Sequence, residues 1–232
     1  MPIWLISFGG FVRSRARRNG KRNSTHLIAT MPKSKSSKRG VARIENQLEK
    51  PLRKALAFLE QNDYRYAIIG GIAVAQWGFP RATHDVDIKV LVPNTEYEKT
   101  RTAILAKFPE RARQQAPSNP FIVAVTIDKV IVDFLLTLPG YEELIIARAA
   151  RRKLNGFSAW ICSAEDLIIQ KVTAGRGKDW MDIEALLLSQ RGKLDEAYIE
   201  DWLGQFVEAL EKPEMLAEYQ RLLKKVKALG KK

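Results

Sequence analysis

Apolar residues first fall into a regular pattern near Val41. In RIENQLEKPLRKALAFLEQN, Leu48, Leu52, Leu56 and Leu59 recur at helical spacing and predict a helix, with Pro51 suited to a first turn or a kink. YRYAIIG reads as a short apolar strand stopped by glycine, and GIAVAQWG as a short helix ended by Gly78. The period then changes to two. In DVDIKVLV, Val86, Ile88 and Val90 share one face, and Asp85, Asp87 and Lys89 share the other. Pro93 and Asn94 end this strand, and TEYEKTRTAILAKF is helical.

A polar loop, RARQQAPSNP, precedes two β-branched runs, FIVAVTID and KVIVDFLLTL, which meet at Asp128-Lys129 as a predicted hairpin. YEELIIARAARRKL then predicts a helix with a basic end, and FSAWIC a further strand. After Cys162 the pattern is helical throughout. SAEDLIIQKVTA opens with a Ser163/Asp166 arrangement resembling a capping box, and DWMDIEALLLSQ, DEAYIEDWLGQFVEAL and PEMLAEYQRLLKKVKAL follow. The fold class is α/β: a small mixed sheet flanked by helices over residues 44–162, then a helical unit over 163–232. Nothing repeats at a fixed period.

Charge separates off a third region. The first 40 residues hold ten Lys/Arg and no acid, which accounts for +10 of the formal +13 and leaves +3 for the rest. Residues 1–43 therefore read as a basic, solvated, disordered segment, with Met31 an alternative start of translation. Such a tail can touch phosphates without reading sequence. The single cysteine, Cys162, excludes an internal disulfide and suits a reducing, cytoplasmic setting. No apolar run approaches the roughly 18 residues needed to span a bilayer, so no membrane association is expected.

The candidate chemistry lies in the acidic strand. Residues two apart on a strand project from one face with side-chain roots about 6–7 Å apart, so Asp85 and Asp87 can share one cation or two. Two solvated carboxylates on an exposed face would give the same pattern. Asp133 changes the balance, because VIVDFLL is apolar on both sides of it, as in a central strand. A buried carboxylate requires a metal, an arginine or a hydrogen-bond network. If its strand lies beside that of Asp85 and Asp87, three carboxylates converge, a set of hard oxygen donors suited to Mg²⁺. Gly70-Gly71 closes one strand and opens a helix, where the backbone can approach an anion closely.

Gly-Gly, thirteen residues, Asp-Val-Asp and a later Val-Asp-Phe together resemble the nucleotidyltransferase superfamily related to DNA polymerase β. The finer features GGIAVAQWG…R-x-T-x-D-V-D and SAEDLIIQK…A…R-x-K-D-x-x-D-I are similar to the prokaryotic branch containing the AbiEii-type toxins, over roughly Leu56 to Leu188. The resemblance implies that Gly70 and Gly71 hold a triphosphate, that Asp85 and Asp87 coordinate two Mg²⁺ ions, and that Asp133 binds on the acceptor side and helps deprotonate the attacking hydroxyl. It also implies that Lys171 reaches the nucleotide phosphates. Arg81 and Thr83 lie in the loop before the acidic strand, where Arg81 contacts phosphate or forms a structural salt bridge. Asp182 is placed to position Lys171 or Arg176, and Asp179 to cap its helix.

The implied activity is Mg²⁺-dependent transfer of a nucleoside monophosphate from an NTP such as ATP to an acceptor hydroxyl, with release of pyrophosphate. An RNA or tRNA 3′ end, a protein side chain and a small molecule such as an aminoglycoside are the candidate acceptors. The basic residues Arg148, Arg151, Arg152 and Lys153 tilt the choice towards nucleic acid. A toxin–antitoxin role, with a cognate antitoxin as partner, follows from the same resemblance. The alternative is a non-catalytic nucleotide- or nucleic-acid-binding protein of the same fold.

Overall fold

The computed structural model describes residues 46–111 and 119–229. The expectations for the basic segment and for most of the loop 111–120 lie outside the described residues. Six strands form one mixed sheet in the order β3-β4-β2-β1-β6-β5. In chain order these are β1 (Tyr66–Ile68), β2 (Asp85–Val90), β3 (Ile122–Ile127), β4 (Val130–Leu136), β5 (Ala150–Leu154) and β6 (Phe157–Ile161). Helices α1 (Asn46–Gln61), α2 (Gly70–Trp77), α3 (Tyr97–Lys107) and α4 (Tyr141–Ala147) are interleaved with them. Four more close the chain: α5 (Ala164–Ala174), α6 (Gly177–Ser189), α7 (Glu196–Leu210) and α8 (Pro213–Ala228). The α/β class and the sheet flanked by helices are as the hydrophobic pattern predicts.

β2 and β4 run parallel, with Asp87 paired to Asp133. β4 is also hydrogen-bonded to β3 on its other side, so it is central, as its unbroken apolar run requires. The β3–β4 hairpin turns through Asp128 and Lys129, both in the left-handed region (φ 49° and 67°), the backbone a tight two-residue hairpin needs. α5 packs against α2, α6, α7 and α8, and one apolar core continues from Leu48 and Leu52 on α1 through the sheet to Tyr219 and Leu222 on α8. Among the described residues no helix is long and apolar enough to cross a membrane.

Two local expectations are corrected. The helix predicted over 141–154 ends at Ala147, and its basic half is the edge strand β5, paired antiparallel with β6. The hairpin turns through Asn155 and Gly156, both at positive φ. Consecutive Arg151, Arg152 and Lys153 are exposed along this edge, a charge pattern that discourages pairing with another chain. The second correction concerns Lys89. Alternation puts it on the polar face of β2, yet it is buried and ion-paired to Glu142 of α4, whose other oxygen accepts from the Leu138 amide at 2.8 Å. A buried lysine is tolerated there because its counter-ion is itself fully hydrogen-bonded.

Candidate active site

The site forms where β1 ends. Ile69 stays extended and its amide donates to the Asp87 carbonyl at 3.0 Å, after which Gly70, at φ +63°, turns the chain into α2. A Cβ at Gly70 would stand 1.9 Å from Asp87 Oδ2, and one at Gly71 would stand 2.3 Å from Thr83 Oγ1. The glycine pair thus lets the first turn of α2 press directly against the acidic strand and the loop before it. Thr83, nearly buried, donates to Asp85 Oδ1 at 3.0 Å and orients that carboxylate. His84 is exposed beside them.

Asp133 is buried on β4, opposite Asp87 on one side and Ala124 on the other. The expected juxtaposition of three carboxylates on two adjacent strands is present. Its electrostatic signature falls on Asp87, whose carboxyl is pushed up to about 7 by burial first and then by the charges of Asp85 and Asp133. The donor set is all carboxylate oxygen, which suits a hard divalent cation, and a cation would relieve the repulsion that raises Asp87. Among the described residues no three His, Cys, Asp or Glu side chains are already gathered as a ready-made metal cage. The fit therefore rests on donor chemistry and strand register.

Beside the carboxylates runs a second group of charges. Lys171, buried on α5, donates to Asp179 Oδ1 at 3.1 Å and to Asp182 Oδ2 at 2.6 Å, both on α6. Arg81 grips Asp182 with Nε and Nη2 at 2.7 and 2.9 Å. Arg176 grips Asp179 with Nε and Nη2 at 2.5 and 3.2 Å. Burial works to raise the Asp182 carboxyl, but the hydrogen bonds from Arg81 and Lys171 outweigh it and hold it below the usual range. Asp179 is likewise held low, by Arg176 and Lys171 against burial. Asp179 caps its helix, with Oδ2 accepting from the Arg176 amide at the start of α6, and it pairs with Lys171 and Arg176 as well. Arg81 makes the salt bridge that was one of its two sequence readings.

A third cluster escaped the sequence reading. Asp166, fully buried, accepts from Tyr141 (3.2 Å), Tyr198 (2.8 Å), Arg148 (3.1 Å) and Ser163 (2.7 Å), and so joins α4, α5 and α7. The Arg148 guanidinium also lies 3.9 Å above the Tyr198 ring. Only the Ser163/Asp166 cap was visible as a local pattern, and Asp166's amide does donate to Ser163 Oγ at 3.0 Å.

No curated protein matches this chain. Among solved structures, the antibiotic-resistance factor ANT(2'')-Ia, determined in solution, superposes with a TM-score of 0.50 at 17% identity, covering 71% of this chain and 94% of that one. The crystal structure of ANT(2'')-Ia with adenylyl-2''-tobramycin gives 0.48 at 18% identity over 68% and 96% of the two chains. An antigenic nucleotidyltransferase-like protein from Paracoccidioides brasiliensis gives 0.45 at 19% over 74% and 93%. At these identities the likeness concerns the fold. Residues 46–227 match the profile described as nucleotidyltransferase of unknown function (DUF6036), which spans α1 to α8 and includes every residue of the site above. The chain belongs to that nucleotidyltransferase family.

Proposed function

We propose that this enzyme transfers a nucleoside monophosphate from an NTP to an acceptor hydroxyl in the cytoplasm, and that Asp85, Asp87 and Asp133 are its catalytic carboxylates. The observation that carries the reading is the register of β2 and β4, which sets Asp133 directly beside Asp87 in a partly buried site of three like charges. Asp85 and Asp87 would hold two Mg²⁺ ions, and Asp133 the one on the acceptor side. When bound, the ions supply charge neutralisation on the phosphates and activation of the attacking oxygen.

The chain's own groups do the rest. A carboxylate oxygen of Asp133 accepts the proton of the attacking hydroxyl. The hydroxyl oxygen bonds to the α-phosphorus as the bond from that phosphorus to the bridging α–β oxygen breaks, and pyrophosphate leaves. Gly70 and Gly71 bring the α2 amides close to the acidic strand, where the triphosphate lies. Thr83 keeps Asp85 in its orientation. The test is incubation with each labelled NTP, Mg²⁺ and either total RNA or cell lysate. Wild type is expected to label an acceptor, and Asp85→Ala and Asp133→Ala to lose that labelling. Equal labelling by all three proteins would refute the assignment.

For the acceptor we favour RNA, on the strength of the β5–β6 edge. Arg151 stands directly opposite the exposed Trp160, Arg152 lies 4.6 Å over the Trp77 ring, and no described acid pairs with Arg151, Arg152 or Lys153. Cations for phosphates beside an aromatic face for stacking are what single-stranded nucleic acid requires. Changing Arg151 and Lys153 to Gln is expected to weaken RNA binding and to flatten the slope of log K against log salt by about 0.7 per lost phosphate contact. An unchanged slope would move the acceptor to a protein or small molecule, which the lysate arm reads. The toxin role belongs to the same proposal; co-expression with the product of an adjacent gene should then relieve growth arrest.

A further inference from the structure

The charges beside the carboxylates form a linear alternation, Arg81–Asp182–Lys171–Asp179–Arg176, and burial divides it sharply. Its three central side chains are 5%, 7% and 0% exposed, while the arginines at its ends are 36% and 40% exposed. An ammonium has three N–H donors, and Lys171 directs Nζ at two buried carboxylates. Withdrawing it to meet a phosphate would leave Asp179 and Asp182 as buried charges short of a partner, which is strongly unfavourable. The arginines are built differently. Each sits as a planar fork on one carboxylate and keeps more than a third of its side chain exposed, and Arg81 Nη1 also donates to the Ala82 carbonyl at 3.1 Å.

Their positions relative to the acidic strand match a long anion. Arg81 lies near enough to feel the Asp85 charge and Arg176 the Asp87 charge, and Lys178, in the first turn of α6, acts on Asp87 as well. Arg176 occupies the tight link between α5, capped by Gly175 at φ +60°, and α6, so two helices fix its backbone. A Cβ added at neighbouring Gly177 would meet nothing within 4 Å, so there is open space at this turn.

Resting on the nucleotidyl-transfer reading, we propose that Arg176, together with Arg81, grips the triphosphate of the NTP, and that Lys171 is a positioning residue holding Asp179 and Asp182, the two carboxylates that aim those arginines. Arg176 is a phosphate ligand that the sequence pattern left unassigned, and Lys171 acts through its neighbours.

Calorimetric titration with inorganic tripolyphosphate in Mg²⁺ separates this from the alternatives, because it needs neither the base nor the acceptor. Arg176→Gln is expected to weaken binding at least tenfold while lowering the unfolding temperature less than Lys171→Met does, because Lys171 still pairs with Asp179; Arg81→Gln should do likewise, and Arg176→Lys should recover part of the loss of binding. In turnover, Arg176→Gln should raise KM for the NTP more than it lowers kcat. Lys171→Met should instead lower the unfolding temperature clearly. Wild-type affinity in Arg176→Gln, or lost binding in Lys171→Met with undiminished stability, would overturn the proposal. Wild type that binds tripolyphosphate but labels no acceptor would overturn the transfer reading and leave the grip standing. Wild type that binds neither tripolyphosphate nor NTP would overturn both.

Discussion

Asp87→Asn is expected to lose nucleotidyl transfer by at least about 10²–10³-fold, the scale of removing one preorganised electrostatic group, while making the metal-free protein more stable above pH 7. Both effects have one cause. Burial and the neighbouring Asp85 and Asp133 charges push the Asp87 carboxyl up to about 7, from an ordinary value near 4. Between those values the folded chain holds a proton that the unfolded chain has released. Stability from this group is therefore greatest at about pH 4, falls as pH rises towards 7, and stays at its lower level beyond. Three pH units correspond to about 4 kcal/mol; with partial solvent access, about 1–3 kcal/mol is the reasonable expectation. Asparagine cannot ionise and removes the slope. Urea denaturation in EDTA from pH 4 to 8 should show the wild-type midpoint falling relative to that of Asp87→Asn. Parallel curves would show that the carboxylate is solvated, and would remove the electrostatic reason for a cation there. Asp179 and Asp182 have the opposite sign, since their depressed values give stability above about pH 4 that is lost only on further acidification.

What the sequence made legible follows a physical division. Asp85, Asp87 and Asp133 could be read because a carboxylate amid β-branched residues is costly and demands a reason. The parallel pairing of β2 with β4 could not, since no local pattern records which strands become neighbours across α3 and β3. The helix over-extended through 141–154 shows a local failure. Leu144, Ile145 and Ile146 suit a helix, and Asn155-Gly156 is a strong hairpin signal that outweighs it only once Phe157–Ile161 is available as a partner. Lys89 illustrates tertiary override. Period-two alternation is silent about α4 covering that end of β2, and its counter-ion is 53 residues away. Lys171 stood out as a lysine among Leu167, Ile168, Ile169 and Val172, but its partners lie 8 and 11 residues on, across a turn. The resemblance supplied a role for it, and the packing around it supplies the different one proposed above.

Asp166→Ala should produce the largest loss of stability of any single change outside the apolar core, about 3–5 kcal/mol out of the roughly 5–15 that hold a domain together. The carboxylate is fully buried and receives four side-chain donors. Burial, followed by the Asp166 charge, drives the Tyr141 hydroxyl well above its ordinary pKa, so it remains a donor throughout the accessible pH range. Alanine would leave two tyrosine hydroxyls, the Ser163 hydroxyl and the Arg148 guanidinium without this acceptor, and only Arg148 keeps a second carboxylate, Glu165 at 3.7 Å. The donors lie on or beside α4, at the start of α5 and on α7, so the damage should be regional. Hydrogen exchange should quicken first in α7, and then in α8, which packs on it, while β2 and β4 stay protected. Asp166→Asn keeps one acceptor oxygen and should lose less. If denaturant midpoints shift by under about 1 kcal/mol equivalent, or exchange rises evenly across the sheet, Asp166 is not the tie between the helical layer and the strands that carry Asp85, Asp87 and Asp133.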